Sequence, residues 1–247
     1  MKKLFTLALT FCAFGISAQY SGQIASNLSA GGSSVGDAGA AIQNLLGPIS
    51  DAYKKRTFSL EEFQGSPYTS NEFKPTKLSY KDEVVGNLYY RYNAYNEEIE
   101  IKQQNLENEG IRALGRDKDI SIDINGKPMS FKTFIDKKGS TQNGYLTKLS
   151  DGKFPFYKRT DVKYTEGQKA QNSFVKAIPA RFSKFTEYYL ELKDANRIDE
   201  LELSNRKLIK LVPNDIKEGL KAYLKENKIR INDEEDVFLA LEYLNQE

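Results

Sequence analysis

Between Val84 and Tyr92 the chain alternates. Val84, Leu88, Tyr90 and Tyr92 fall on one face of an extended segment, and Asn87, Tyr89, Arg91 and Asn93 on the other. A period of two is the mark of a half-buried β-strand. Glu98-Ile-Glu-Ile-Lys102 repeats it and is the expected partner, with Asn93 to Asn96 as the turn. Ser121 to Ile124, Asn125-Gly126 and Lys127 to Phe134 form the clearest local signal, because Asn-Gly tolerates the positive φ angles of a two-residue type I′ hairpin turn. Asp151-Gly152 repeats that device between Gly144–Leu149 and Lys153–Lys158, and Pro155, which has no N–H to donate, places the second strand at an edge or a bulge. With Phe185–Leu192 and Ile198–Leu203 the expected set comes to about eight or nine strands.

Towards the C-terminus the period changes. Asn214 is positioned to cap a helix with Ile216, Leu220, Tyr223 and Leu224 on one stripe, ending near Asn227. Asn232, followed three residues on by Glu235, resembles a capping box for a helix carrying Val237, Phe238, Leu241 and Leu244. A shorter turn from Arg206 to Leu211 stops before Pro213. Strands first and helices last predict an α+β fold: a curved antiparallel sheet or half-barrel followed by two or three C-terminal helices. The expected domain runs over 58–247, mostly β over 58–203 and helical over 204–247.

The N-terminus reads differently. Lys2 and Lys3, the apolar run Leu4 to Ile16 and Ser17-Ala18 make residues 1–18 a secretory signal peptide. That run is too short to span a bilayer, and no membrane span is expected. Residues 19–57, rich in Ser, Gly and Ala, read as a spacer with room for a short helix over Ala38 to Leu46. Cleavage removes Cys12, the only cysteine, and Lys2 and Lys3 take the 36 basic residues to 34, equal to the 34 acidic ones. A neutral mature chain with mixed signs argues against nucleic-acid binding. There is no histidine, so the Ser-His-Asp triad and the HExxH zinc site are excluded by residue type.

Candidate chemistry is correspondingly sparse. Ser121-x-Asp123-x-Asn125-Gly126 imitates a calcium loop, but Lys132 stands where a bidentate Glu is needed. No metal or cofactor is expected. Glu98 and Glu100 share one strand face, about 7 Å apart, and read as the solvent side of a half-buried strand rather than a glycosidase pair. The tyrosines are more suggestive: Tyr89, Arg91, Asn93 and Tyr95 share a face on strict alternation and form the candidate binding surface.

Gly65-Ser-Pro-Tyr68, Leu88-Tyr-Tyr-Arg-Tyr-Asn93, Glu97-Glu-Ile-Glu100, Gly144-Tyr-Leu and Tyr188-Tyr-Leu190, with the last two helices, make the chain resemble a group of uncharacterised exported proteins of Bacteroidetes. The likeness covers residues 58–247 and implies a Gram-negative envelope protein; the two C-terminal helices, unlike a β-rich sorting domain, favour the periplasm, with a secreted or outer-membrane-associated protein as the alternatives. It supplies no activity. The expectation is a non-enzymatic binding or scaffold module for another envelope protein. The alternatives are a carrier of a lipid or other apolar ligand in a half-open barrel and a carboxylate-based glycan hydrolase.

Overall fold

The computed structural model describes residues 42–47, 63–170, 174 and 176–246. The expected signal peptide, and all of the expected spacer but residues 42–47, lie outside them. Within 42–47 a helical turn leads into strand β1 (Leu46–Gly47). Ile42 and Leu45 are buried in the main core there, and the Leu45 carbonyl accepts from Gly115 N at 2.7 Å.

Among the described residues the sheet has twelve strands, more than the eight or nine expected. The additional ones are β1, β2 (Phe63–Gln64), β3 (Lys74–Tyr80) and β6 (Arg112–Leu114). Three of these are two or three residues long, too short to show a period, and β3 opens on Lys74-Pro75, which obscures its buried positions Thr76 and Leu78. The remaining strands are β4 (Glu83–Asn93), β5 (Glu98–Lys102), β7 (Ile120–Ile124), β8 (Lys127–Ile135), β9 (Thr141–Ser150), β10 (Phe156–Thr165), β11 (Ala180–Leu192) and β12 (Arg197–Glu200).

The strand order β1-β6-β5-β4-β3-β7-β8-β12-β11-β10-β9, with β9 also pairing back to β8, describes two parts. Strands β8 to β12 form a closed ring, completed by one parallel bridge, Asp199 opposite Ile135. Phe134, Leu146, Tyr157, Tyr189 and Ile198, one from each strand, fill it. Strands β1 and β3 to β7 extend as a wing, while β2 adds to β11; the wing's apolar face packs on the ring and forms the main core with it, from Leu78, Leu88, Tyr92, Ile99 and Ile122 of the wing and Tyr145 of the ring. Pairing is antiparallel except for β12–β8 and β11–β2.

The β7–β8 turn is the one expected: Asn125 and Gly126 have φ of 55° and 80°. The second expected tight turn is instead a loop, because β10 starts only after Pro155, and a bulge follows between Phe156 and Tyr157. Helices α1 (Asn205–Leu211), α2 (Lys217–Glu226) and α3 (Glu234–Leu244) pack Leu208, Leu220, Leu224, Val237, Ala240 and Leu241 on Phe154, Phe156, Leu190 and Leu201 as a second core. Their caps differ from expectation. Asp233, not Asn232, caps α3 by accepting from Asp236 N, and Asn214 holds Lys217 Nζ at 2.7 Å instead of capping α2. Among the described residues no helix is long and apolar enough to cross a membrane.

Candidate functional site

One face of β8, β9 and β10 carries both cores. Lys158 stands opposite Thr147, and Thr147 opposite Met129, so these three share that face. Along β10 the same face presents Phe156 to the helical core, then Lys158 and Thr160, then Val162 to the main core. Along β9 it presents Leu149, Thr147 and Tyr145 in the same order. Polar residues thus interrupt an apolar face on two neighbouring strands, and the two cores do not meet there. A cavity of about 410 Å³ opens over the interruption. Tyr90 and Tyr92 of β4 form one wall, the β7–β8 turn with Asn125 and Lys127 another, and Thr69, Ser70 and Lys74 lie at the rim.

Its electrostatics favour an anion. Lys74, Arg91, Lys127 and Lys158 line it, against Glu72 and Glu234. Lys158 is neutralised by Glu234 at 2.5 Å, at the start of α3, and Tyr188 OH donates to the same carboxylate oxygen at 2.9 Å. Burial pushes the Glu234 carboxyl up, but the bonds from Lys158 and Tyr188 outweigh it and hold the group below its ordinary value. The Tyr188 phenol is pushed up to about 12, by burial first and then by Glu234. Burial, with Asp123 nearby, also raises the Tyr90 phenol above its ordinary value. Lys74 and Lys127 make no ion pair among the described residues. Nor do the described residues contain a His, Cys, Asp and Glu group that could hold a metal ion.

The expected surface of Tyr89, Arg91, Asn93 and Tyr95 is arranged differently. Alternation does put Tyr89, Arg91 and Asn93 on one face, opposite Lys102, Glu100 and Glu98 of β5. Residues 67–69 pair along the end of β4, with Tyr68 bridged to Asn93 and Ala94 N donating to the Pro67 carbonyl at 2.9 Å, and the side chains of Tyr68 and Phe73 fold over that face, where Tyr68 OH donates to Glu100 at 3.1 Å. Arg91 is held there by Glu100 at 2.5 Å, with the rings of Tyr68 and Phe73 4.0 and 4.7 Å from its guanidinium. Asn93 is fully buried, its Oδ1 accepting from Asn96 N at 3.1 Å, while Tyr89 is half-buried. Tyr95 lies beyond the end of β4, where the alternation stops, and packs on Tyr164 and Phe182. Of the four, only Arg91 borders the cavity. The same cover corrects the reading of Glu98 and Glu100 as solvent-facing: they are 5% and 2% exposed. The lining residues Lys74, Lys127, Thr147, Lys158, Thr160 and Glu234 were missed. The available signal was the pair of polar positions between Phe156 and Val162.

Carboxylates do converge elsewhere, around Arg159. Glu97 accepts from Arg159 Nε at 2.9 Å and from Nη2 at 2.5 Å, Glu187 accepts from Nη1 at 2.6 Å, and Asp161 lies 3.3 Å from Nη2. Burial works against the guanidinium charge, but these acids outweigh it and raise the group above its ordinary value. Glu97, in the β4–β5 turn at φ 53°, also accepts from Tyr92 OH at 2.6 Å and Tyr145 N at 3.1 Å. It reaches Arg159 past Gly144, where an added Cβ would lie 3.0 Å from its carboxylate. This cluster ties wing to ring. The guanidinium fills the space a substrate would need between two catalytic acids.

Compared with protein-family models, with curated proteins and with solved structures, the chain shows no match.

Proposed function

We propose that the protein is a non-enzymatic binding module of the cell envelope and that the cavity between its two cores holds an anionic ligand. One observation carries this reading: the polar strip Thr147, Lys158 and Thr160 keeps two apolar cores apart and leaves about 410 Å³ beneath two tyrosines, bordered by Lys74 and Lys127, which make no ion pair among the described residues. Such a volume is in the range of small-ligand sites, which combine an apolar wall with a few placed polar groups. A purely apolar cargo has less support: Tyr90 and Tyr92 do border the cavity, but Leu88 is buried in the main core, and Lys74, Arg91, Lys127, Lys158, Glu72 and Glu234 share the lining. Hydrolysis has less still, since the converging acids enclose Arg159.

The test is a pair of fluorescent probes of similar aromatic bulk, anilinonaphthalene sulfonate, which is anionic, and N-phenylnaphthylamine, which is neutral. The mature protein binds the sulfonate in a salt-sensitive way, and reversing both lysines, Lys74→Glu with Lys127→Glu, weakens it about tenfold, equivalent to about 1.4 kcal/mol. Equal binding of the neutral probe, unaffected by the reversals, would overturn the anionic reading in favour of an apolar carrier.

A further inference from the structure

On the helical side a larger groove, about 740 Å³, runs between α1, the end of α2 and the α2–α3 connector. Four cations line it, Lys221, Lys225, Lys228 and Arg230, and no carboxylate does. In a mature chain of balanced charge this is a local segregation, and such clustering focuses the field on an anionic partner. Among the described residues Lys221 pairs with Glu218 at 3.6 Å, and both are exposed. Lys225, Lys228 and Arg230 form no ion pair among the described residues. The groove is held open by Asn205, whose amide donates to the Ile229 carbonyl at 2.7 Å and whose Oδ1 accepts from Ile231 N at 2.8 Å.

We propose that this groove docks an acidic segment of another envelope protein, through several carboxylates and one or two aliphatic side chains. Lys221 and Lys225 are about 6 Å apart along the helix axis, and Lys228 and Arg230 continue beyond its end, so the charge is strung out to match a chain of carboxylates rather than gathered on one phosphate. The apolar floor is small: Leu224 and Ile231 are already buried, leaving the half-buried Leu203, Ile209 and Ile229. That suits a leucine-sized anchor, not an acyl chain, and a concave surface does not lie flat on a membrane. The occupant is not one of the chain's own segments outside the described residues. Residues 1–41 carry one acidic residue, Asp37, and in 48–62 Asp51, Glu61 and Glu62 are balanced by Lys54, Lys55 and Arg56.

The experiment is fluorescence anisotropy of the mature protein with a labelled twelve-residue peptide of Glu and Asp bearing two leucines. Saturable binding that weakens with salt is expected. It should fall at least tenfold in Lys225→Glu with Arg230→Glu and be unchanged in the cavity variant Lys74→Glu, so that failure of this site and failure of the cavity reading are told apart. Both groove residues are exposed, and Lys225→Gln with Arg230→Gln, giving an intermediate loss, guards against a folding artefact. Peptide affinity indifferent to these changes would overturn the proposal. So would groove-dependent sedimentation with phosphatidylglycerol vesicles in the absence of peptide binding, or groove-dependent self-association with the Asp233–Asp236 run of a second copy.

Discussion

Replacing Glu97 with alanine tests the link between wing and ring. The substitution removes four hydrogen bonds at once: those from Arg159 Nε and Nη2, Tyr92 OH and Tyr145 N. Arg159 keeps Glu187 and Asp161, so its charge is not left alone. Tyr92 is different, because its side chain is 1% exposed and water does not replace the lost acceptor. A stranded buried donor costs about 1–3 kcal/mol, and Tyr145 N–H adds a second, so a loss of about 3 kcal/mol is expected. For a domain of this size that lowers Tm by about 6–12 °C. A double-mutant cycle isolates the cause: in a Tyr92→Phe background there is no phenol to strand, and the cost of Glu97→Ala shrinks by about 1–2 kcal/mol. Urea denaturation followed by circular dichroism measures all four corners. A single-mutant loss below about 1 kcal/mol, or additivity of the two changes, would show that Glu97 behaves as a surface acid and that the wing is held by apolar contacts alone.

Two further outcomes follow from burial and capping. Burial holds the phenols of Tyr92, Tyr145, Tyr157 and Tyr189 above the usual value of 10.0. Their folded values exceed the unfolded ones, so their contribution to stability is complete below about pH 10 and is lost as the pH rises through the folded values. With no Trp to interfere, absorbance at 295 nm should show a set of tyrosines that ionises only as the far-ultraviolet dichroism collapses; ionisation of every tyrosine with the fold intact would refute this. Asp233→Ala, which removes the acceptor for Asp236 N at 3.0 Å, should cost about 1 kcal/mol in urea denaturation, whereas Asn214→Ala should cost no more than a few tenths.

What the sequence revealed depended on how local the cause was. Asn125-Gly126 was legible because the turn's φ angles are a property of those two residues. The helices were legible from their stripes, but the caps were misplaced because Asn, Asp and Ser cap comparably and only three-dimensional register selects among them. The face shared by Tyr89, Arg91 and Asn93 was read correctly, and its exposure was not, because the Tyr68 and Phe73 side chains cover it from a segment that pairs with the end of β4 some 25 residues distant in sequence. Tyr95 was misplaced because alternation was extended past Asn93, where the strand ends. Arg159 gave no sign of its role, since its partners come from a turn and another strand.

β10 shows why the cavity and the charged cluster are separate devices although their residues alternate. Tyr157, Arg159 and Asp161 point to the ring side, where Tyr157 joins the ring's filling and the Arg159 guanidinium lies 5.4 Å from the centre of the Phe134 ring. Phe156, Lys158, Thr160 and Val162 point the other way, to the two cores and the gap between them. A strand that merely joined two cores would be apolar along that whole face, since an apolar side chain at 158 or 160 would gain about 1.5–3 kcal/mol by closing the gap. The ring side supplies its cohesion through Glu97 and Glu187 without drawing on that face. The fold therefore keeps two positions on this face of β10 polar, Lys158, which ties the strand to Glu234 of α3, and Thr160, and both line the cavity that Lys74 and Lys127 border.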